Sequence, residues 1–386
     1  MDRKRIKYQQ TLKNLLDTTN MREPDKIPIV GNFYGWPFGY AGVKYSELKD
    51  DPQKAAQAYC ECFDEIKFDL LFDAGVSQPV YAFEKLGVTS YTIGEDGNVI
   101  THNQANSEYF GPEVYDEIIK NPKYFMNETL TRFKVPAFKE NKKEAYRALK
   151  ECAIEMRKFL KINGLIKEYL EEKGVYFLMN SELSWREPFQ EIFMRIRGIK
   201  DSLVDVRRRT NKVLEACKAM SDAEAWNYQP MDYCEPLPFS LLGYHPQCFL
   251  SPKYFDMFYF DDFKKTLLPF AEAGKKFLFL LEGDNTRTMS RYLDFPKGSL
   301  AFILDKEDPF EMHKLLGERF TLLTGMPADL MAVGTKQSCV DYVKRCYDTF
   351  APGGGFIFCP NAPLMSVKEA KIENVIAVYE TANALS

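Results

Sequence analysis

The sequence has no run of 18 apolar residues, no excess of charge of either sign, no glycine-rich phosphate loop and only three histidines. The first absence removes a membrane-spanning helix from the expectations. Against 55 Asp and Glu stand 51 Lys and Arg, a net charge of −4 that draws the chain neither to nucleic acid nor to anionic lipid. The one basic run, Arg207 to Arg209, reads as a solvated helix face. No Gly-x-Gly-x-x-Gly follows a strand-like run and no P-loop occurs, which weighs against a nucleotide cofactor. The opening MDRKRIKYQQ is charged with no apolar region behind it, and nine cysteines are an odd number, so free thiols in a cytoplasmic protein are expected. No closely spaced Cys and His ligand set and no local Ser, His, acid triad stands out.

Apolar residues make up 45% of the 386 and aromatics 14%, enough for a large core. They fall in short runs, each too short for a buried helix and suited to a strand buried on both faces. Eight such runs are found, near residues 27–30, 69–72, 175–179, 236–243, 277–281, 300–304, 320–324 and 355–358. Between them lie stretches of helical periodicity, notably 51–63, 116–173 with breaks at Pro122, Pro136 and Gly164, 188–220 with a break at Gly198, 336–350 and 367–385. Ser251 followed by Pro252 forms the start signal of another helix. Strands alternating with helices imply a parallel sheet with crossover connections, and a count of eight favours an α/β TIM (β/α)8 barrel. The whole of 1–386 is expected to be one domain, with a helical N-terminal extension over 1–24 and a hairpin excursion within 86–115.

Ligands meet parallel sheets at the carboxyl ends of the strands, so the residues that close each run are the site candidates. The run FLFLL stops on Glu282, Gly283, Asp284 and Asn285, and the next on Asp305. Glu282, Asp284 and Asp305 are therefore the catalytic candidates, since neighbouring carboxyls whose pKa values are driven apart serve as general acid and base. For Asp284 the alternative role is to cap the turn into Thr286. Asn32, Tyr34, Trp36, Asp73, Asn180, Tyr244 and Met326 close other runs and are the substrate-binding candidates; the loop GNFYGWPFGYAG carries no charge and reads as an aromatic pocket wall. Glu282, His245 and Cys359 are zinc-type ligands on the same expected rim.

The segments LLEGDNT, FPKGSLAFILDKEDPFEMHKLLGERFTLLTGMPADLMAVGT, GGGFIFCPNAP and ENVIAVYETANAL, with PDKIPIV and GPEVYDEIIKNPKYF before them, resemble the uroporphyrinogen decarboxylase superfamily. That resemblance spans most of the chain, and its strongest mark is the triple glycine opening the last strand. It implies a TIM barrel, often dimeric, acting either as a decarboxylase or as a methyltransferase that works with a corrinoid protein. Decarboxylases of the superfamily carry an arginine-rich segment after the first strand; here that position is the uncharged aromatic loop, unsuited to a polyanion. Zinc methyltransferases carry His-x-Cys at the end of the fifth strand and a later Cys. The matching positions here are Leu280 and Glu282, with the last ligand falling near Ala362 and Cys359 a few residues away, so the usual triad is broken. No Asp-x-His-x-x-Gly motif occurs, so a corrinoid would ride on a separate protein. The resemblance thus implies a methyltransferase component, closer to the corrinoid-dependent branch, that moves a methyl group from a small aromatic or methoxylated substrate to a separate corrinoid protein. The alternatives are a uroporphyrinogen decarboxylase-type enzyme and a ligand-binding barrel without chemistry.

Overall fold

A computed structural model describes residues 3–72, 78–95, 97–100, 108–178, 187–223, 239–243 and 245–386. The candidates Asp73, Asn180 and Tyr244 lie outside the described residues. Each apolar run forms a strand: β1 Val30–Gly31, β2 Leu70–Phe72, β3 Tyr176–Leu178, β4 Phe239–Gly243, β5 Lys276–Leu280, β6 Leu300–Ile303, β7 Thr321–Met326 and β8 Phe356–Pro360. All pairings between them are parallel, in the orders β3-β2-β1 and β8-β7-β6-β5-β4. A parallel bridge from Ile29 to Phe358 sets β1 beside β8. Among the described residues no ladder joins β3 to β4, so the sheet is not closed by hydrogen bonds along its whole circumference.

The two faces of the sheet bury different partners, as period-two alternation requires. Val30, Leu70, Tyr176, Phe239, Leu278, Ala301, Ile303, Leu323, Ile357 and Cys359 pack into one inner cluster to which every strand contributes. Leu242, Phe277, Phe279, Leu300, Phe302 and Leu322 face outward against helices in a second cluster, and Ile29, Leu71, Phe356 and Phe358 do so in a third. The inner face is filled with side chains. At its N-terminal end the helix Arg3–Thr19 contributes Leu15 to the inner cluster, and Tyr8 stacks near Tyr176 with ring centroids 5.5 Å apart. Lys276 fastens this helix from inside, donating from Nζ to the Thr19 carbonyl at 2.7 Å and to Asn20 Oδ1 at 2.6 Å.

The triple glycine has a steric reason on the same floor. Gly354 has φ +82°, and a Cβ there would stand 2.4 Å from the Arg22 carbonyl oxygen. Only glycine lets the segment that follows the first helix cross the start of β8.

Several helices begin as their start signals require. Asn121, Glu187 and Ser251 each cap a helix from the side chain with proline at the next position, and each helix passes after one turn into a π-helical segment, Phe125–Thr129, Ile192–Ile196 and Asp256–Phe260. The expected break at Gly164 is absent: Lys142–Glu172 runs through it as one helix of 31 residues. A glycine in a helix interior costs about 1 kcal/mol, which the packing of Ile162, Ile166 and Leu170 in the core outweighs. Among the described residues the hairpin pairs Thr92–Ile93 with Val99–Ile100, and helix Val114–Lys120 occupies the end of the expected range. No helix among the described residues is long and apolar enough to cross a membrane, and the eight described cysteines are free thiols.

Candidate functional site

Strand parity carries the inner face up to the carboxyl rim. Leu278 and Leu280 are followed on the same side by Glu282, Ala301 and Ile303 by Asp305, Ile357 and Cys359 by Asn361, and Val30 by Asn32. The register aligns Leu280 with Ile303 and with Gly243, so the residues two places on, Glu282, Asp305 and His245, stand at one level. His245 Nδ1 lies 2.6 Å from Glu282 Oε2, so the imidazole and the carboxylate meet directly at the rim. The imidazole is 15% exposed and the carboxylate 46%, so the pair has a shielded end and an open end. A Cβ on the inward-facing Gly243 would sit 3.6 Å from His245 Nε2, which places the ring edge over the inner side of β4.

Asp305 stands beside this pair. Its Oδ2 accepts the Gly283 N–H at 2.8 Å, while burial and then the negative charge of Glu282 push its pKa up against that bond. Asp284 goes the other way. It is exposed, accepts the Thr286 N–H at 3.0 Å, and is held below the usual carboxylate range by Thr286. The two acids are thus driven apart in proton affinity, but Asp284 spends its carboxylate on a turn at the surface. Gly283 has φ +74°, and Cys248 Sγ would lie 2.7 Å from any Cβ there, so the turn brings backbone and thiol together. Burial, and next the Glu282 charge, push the Cys248 thiol up to about 11, which keeps it protonated at neutral pH.

The remaining candidates divide between rim and core. Asn32 is buried, donates from Nδ2 to the Pro360 carbonyl at 3.3 Å, and leaves Oδ1 without a hydrogen-bond partner. Tyr34 is half-buried. Met326 ends β7 at 1% exposure. Trp36, expected in a pocket wall, is fully buried: its indole donates to the Ala370 carbonyl at 2.8 Å and its ring packs against Phe33 and Tyr40. Phe33 and Phe38 of the same loop are also buried, because Tyr59, Phe63, Phe68 and Tyr379 supply a matching apolar surface, while Tyr34 and Tyr40 stay half-buried. Phe33, Trp36 and Phe38 form core between strands and helices.

Of the three zinc-type candidates, Glu282 and His245 meet, while Cys359 is 1% exposed within the inner cluster, with Sγ donating to the Pro360 carbonyl at 3.2 Å and its thiol pushed well up by burial. No three Asp, Glu, His or Cys among the described residues converge as a metal-holding group. Glu282, His245 and Cys359 therefore do not fit a three-ligand zinc centre of the kind that activates thiols.

A residue that the strand-end reasoning passed over ties the rim together. Glu307 is 5% exposed and accepts the Asn285 N–H at 2.9 Å and Nδ2–H at 3.0 Å on Oε1, and the Asp305 N–H at 2.9 Å on Oε2. Asn285 in turn donates to the Glu282 carbonyl at 3.1 Å. Asn361 donates to the Asp305 carbonyl at 2.7 Å and accepts the Ala328 N–H at 2.8 Å.

With this fold and rim in place, the chain can be compared with known proteins. The fold is similar to that of a methyltransferase from Methanosarcina mazei. The match covers 97% of this chain and 98% of that one, with a TM-score of 0.56 at 13% sequence identity, and it establishes common architecture. No protein-family model matches the sequence, and no curated protein matches it.

Proposed function

We propose that the chain is a methyltransferase component of the uroporphyrinogen decarboxylase superfamily, built as a TIM (β/α)8 barrel. It takes a methyl group from a small aromatic or methoxylated substrate and passes it to a separate corrinoid protein. The barrel reading is supported by an inner cluster fed from all eight strands. The observation that carries the functional reading is the Glu282–His245 pair beside Asp305, on the rim of a fold shared over nearly its full length with a methyltransferase. Against the decarboxylase alternative stands the segment after β1, which has neither Arg nor Lys from Gly31 to Gly42 and buries Phe33, Trp36 and Phe38 in the core.

Cleaving a methyl ether leaves an electron pair on oxygen, and the expelled alkoxide or phenoxide needs a proton. Glu282, set at the rim against His245, is placed to deliver that proton; Asp305, with its raised proton affinity, stands next to them as a second donor. Asn32 offers an unpartnered carbonyl oxygen to orient a substrate hydroxyl. A reduced corrinoid on the partner would serve as the nucleophile that accepts the methyl group. The reading includes a homodimer in the cytoplasm, to be checked by light scattering and fractionation.

The test is demethylation of a panel of methoxybenzenes by the purified protein with a reduced corrinoid protein, repeated on Glu282→Gln. Wild type should turn over at least one compound, and the variant should lose about 10²- to 10⁴-fold in kcat with substrate binding kept. Turnover of no methoxy compound by wild type removes the reading; porphyrinogen decarboxylation would replace it with the alternative.

A further inference from the structure

We propose that Glu307 is the positioning residue of this rim, holding the turn after β5 and the turn after β6 in one frame so that Glu282, His245 and Asp305 keep their mutual geometry. The inference rests on the methyl-transfer reading for its kinetic consequence, but its structural content stands on hydrogen bonds alone. One carboxylate meets three N–H groups from two loops at 2.9 to 3.0 Å. Two of these donors belong to Asn285, whose side chain also grips the Glu282 and Gly283 carbonyls at 3.1 and 3.4 Å. The third is the backbone of Asp305 itself, whose side chain reaches back to Gly283. The loops are therefore bonded in both directions: β6 to β5 through Asp305, and β5 to β6 through Glu307.

Burying a carboxylate costs several kcal/mol unless donors surround it, so a glutamate at 5% exposure needs a compensating reason. Here burial pushes its pKa up, and the N–H groups of Asn285 and Asp305 pull it down. An anion suits the place because it presents acceptors on both oxygens, and both oxygens meet N–H donors. A glutamine would present an acceptor on one side only and set N–H against N–H on the other. The helix Pro309–Leu316 begins just beyond, capped by Asp308 rather than by Glu307, so Glu307 is not needed as that helix's cap. What Glu307 fixes is the separation of the two acid-bearing turns. Reacting groups tolerate little displacement: about 1 Å costs roughly 10²-fold in rate.

The experiment uses Glu307→Gln in the full chain, with histidine side-chain NMR as the first readout. Three histidines give three signals: His245 reports the pair, and His313, packed on Phe350 with ring centroids 5.0 Å apart, reports whether the neighbouring helix stays docked. The expected result is a moved His245 signal, an unmoved His313 signal, and a kcat about 10²-fold lower at a KM within about threefold of wild type. Asn285→Ala, which removes one of the three donors, should show the same pattern more weakly, and decides the matter if the glutamine variant does not fold. Unmoved His245 in both variants overturns the proposal, as does joint movement of His245 and His313, which would make Glu307 a support of the fold at large. If wild type demethylates nothing, the methyl-transfer reading fails while the His245 signal still decides the positioning claim.

Discussion

Replacing Gly354 with alanine places a methyl group 2.4 Å from the carbonyl oxygen of Arg22, 2.5 Å from its carbon and 2.9 Å from its nitrogen. All three are backbone atoms, so no side chain can rotate away. Two costs add. An L-residue held at φ +82° costs about 1–2 kcal/mol. Forcing a methyl group into occupied space costs about 1–3 kcal/mol more. The expected loss is about 2–5 kcal/mol, a large part of the 5–15 kcal/mol that holds a typical domain together. Gly353 supplies the control, because it has φ +86° with nothing within 4 Å of a Cβ. Its alanine variant should lose only the conformational part, about 1–2 kcal/mol. Urea unfolding of both variants, compared at equal m, measures the difference. Gly354→Ala should unfold at the lower urea concentration, and limited proteolysis should cut sooner around residues 20–25 as the crossing segment lifts. Coincident midpoints would refute the claim that the close approach of Arg22 requires the second glycine.

Other consequences are measurable. Asp205 is fully buried and bonds Arg197 at 2.7 Å, Arg209 at 2.7 Å and the Tyr115 hydroxyl at 2.9 Å, so Asp205→Ala takes from the buried Arg197 its nearest carboxylate and should cost about 3–5 kcal/mol in denaturant unfolding. Lys276 is pushed from 10.5 down to about 8 by burial at the floor. Between those two values the unfolded chain binds more protons than the folded one, so stability should rise with pH across the window, the cost of burying the cation being complete below it. Lys276→Met removes that rise, and the stability of wild type relative to the variant should increase between about pH 7 and about pH 10; a constant difference would show that Lys276 does not titrate there.

What could be read from the sequence depended on whether the deciding interaction was local. Helix Lys336–Phe350 starts where expected because Thr335 and Ser338 cap each other within a single turn. The eight strands were legible because each is a short apolar run bounded by turn residues. Gly164 misleads, since what carries a helix through glycine is packing from outside the segment. The uncharged loop after β1 has the composition of a pocket wall, yet the carbonyl that takes the Trp36 indole proton lies at Ala370, near the other end of the chain. Glu282 and Asp305 emerge from strand ends alone, whereas the meeting of Glu282 with His245 needs the β4–β5 register. Glu307 was invisible for a different reason: in the run DKED it looks like one more solvated acid, and only the fold puts N–H groups around it.

The helix at the floor also bears on the order in which the molecule can assemble. Arg3–Thr19 leaves the ribosome early, but its Leu15 packs in a cluster that includes Ile357 and Cys359 of the last strand. At about 5–20 residues per second, the intervening chain takes roughly 20–70 s to synthesise, and during that time the helix has no completed seat. Lys276, which holds its carboxyl end, also arrives late. This helix is therefore fixed only after β5 and β8, made long after it, are in place, and until then Leu15 lacks the cluster that buries it.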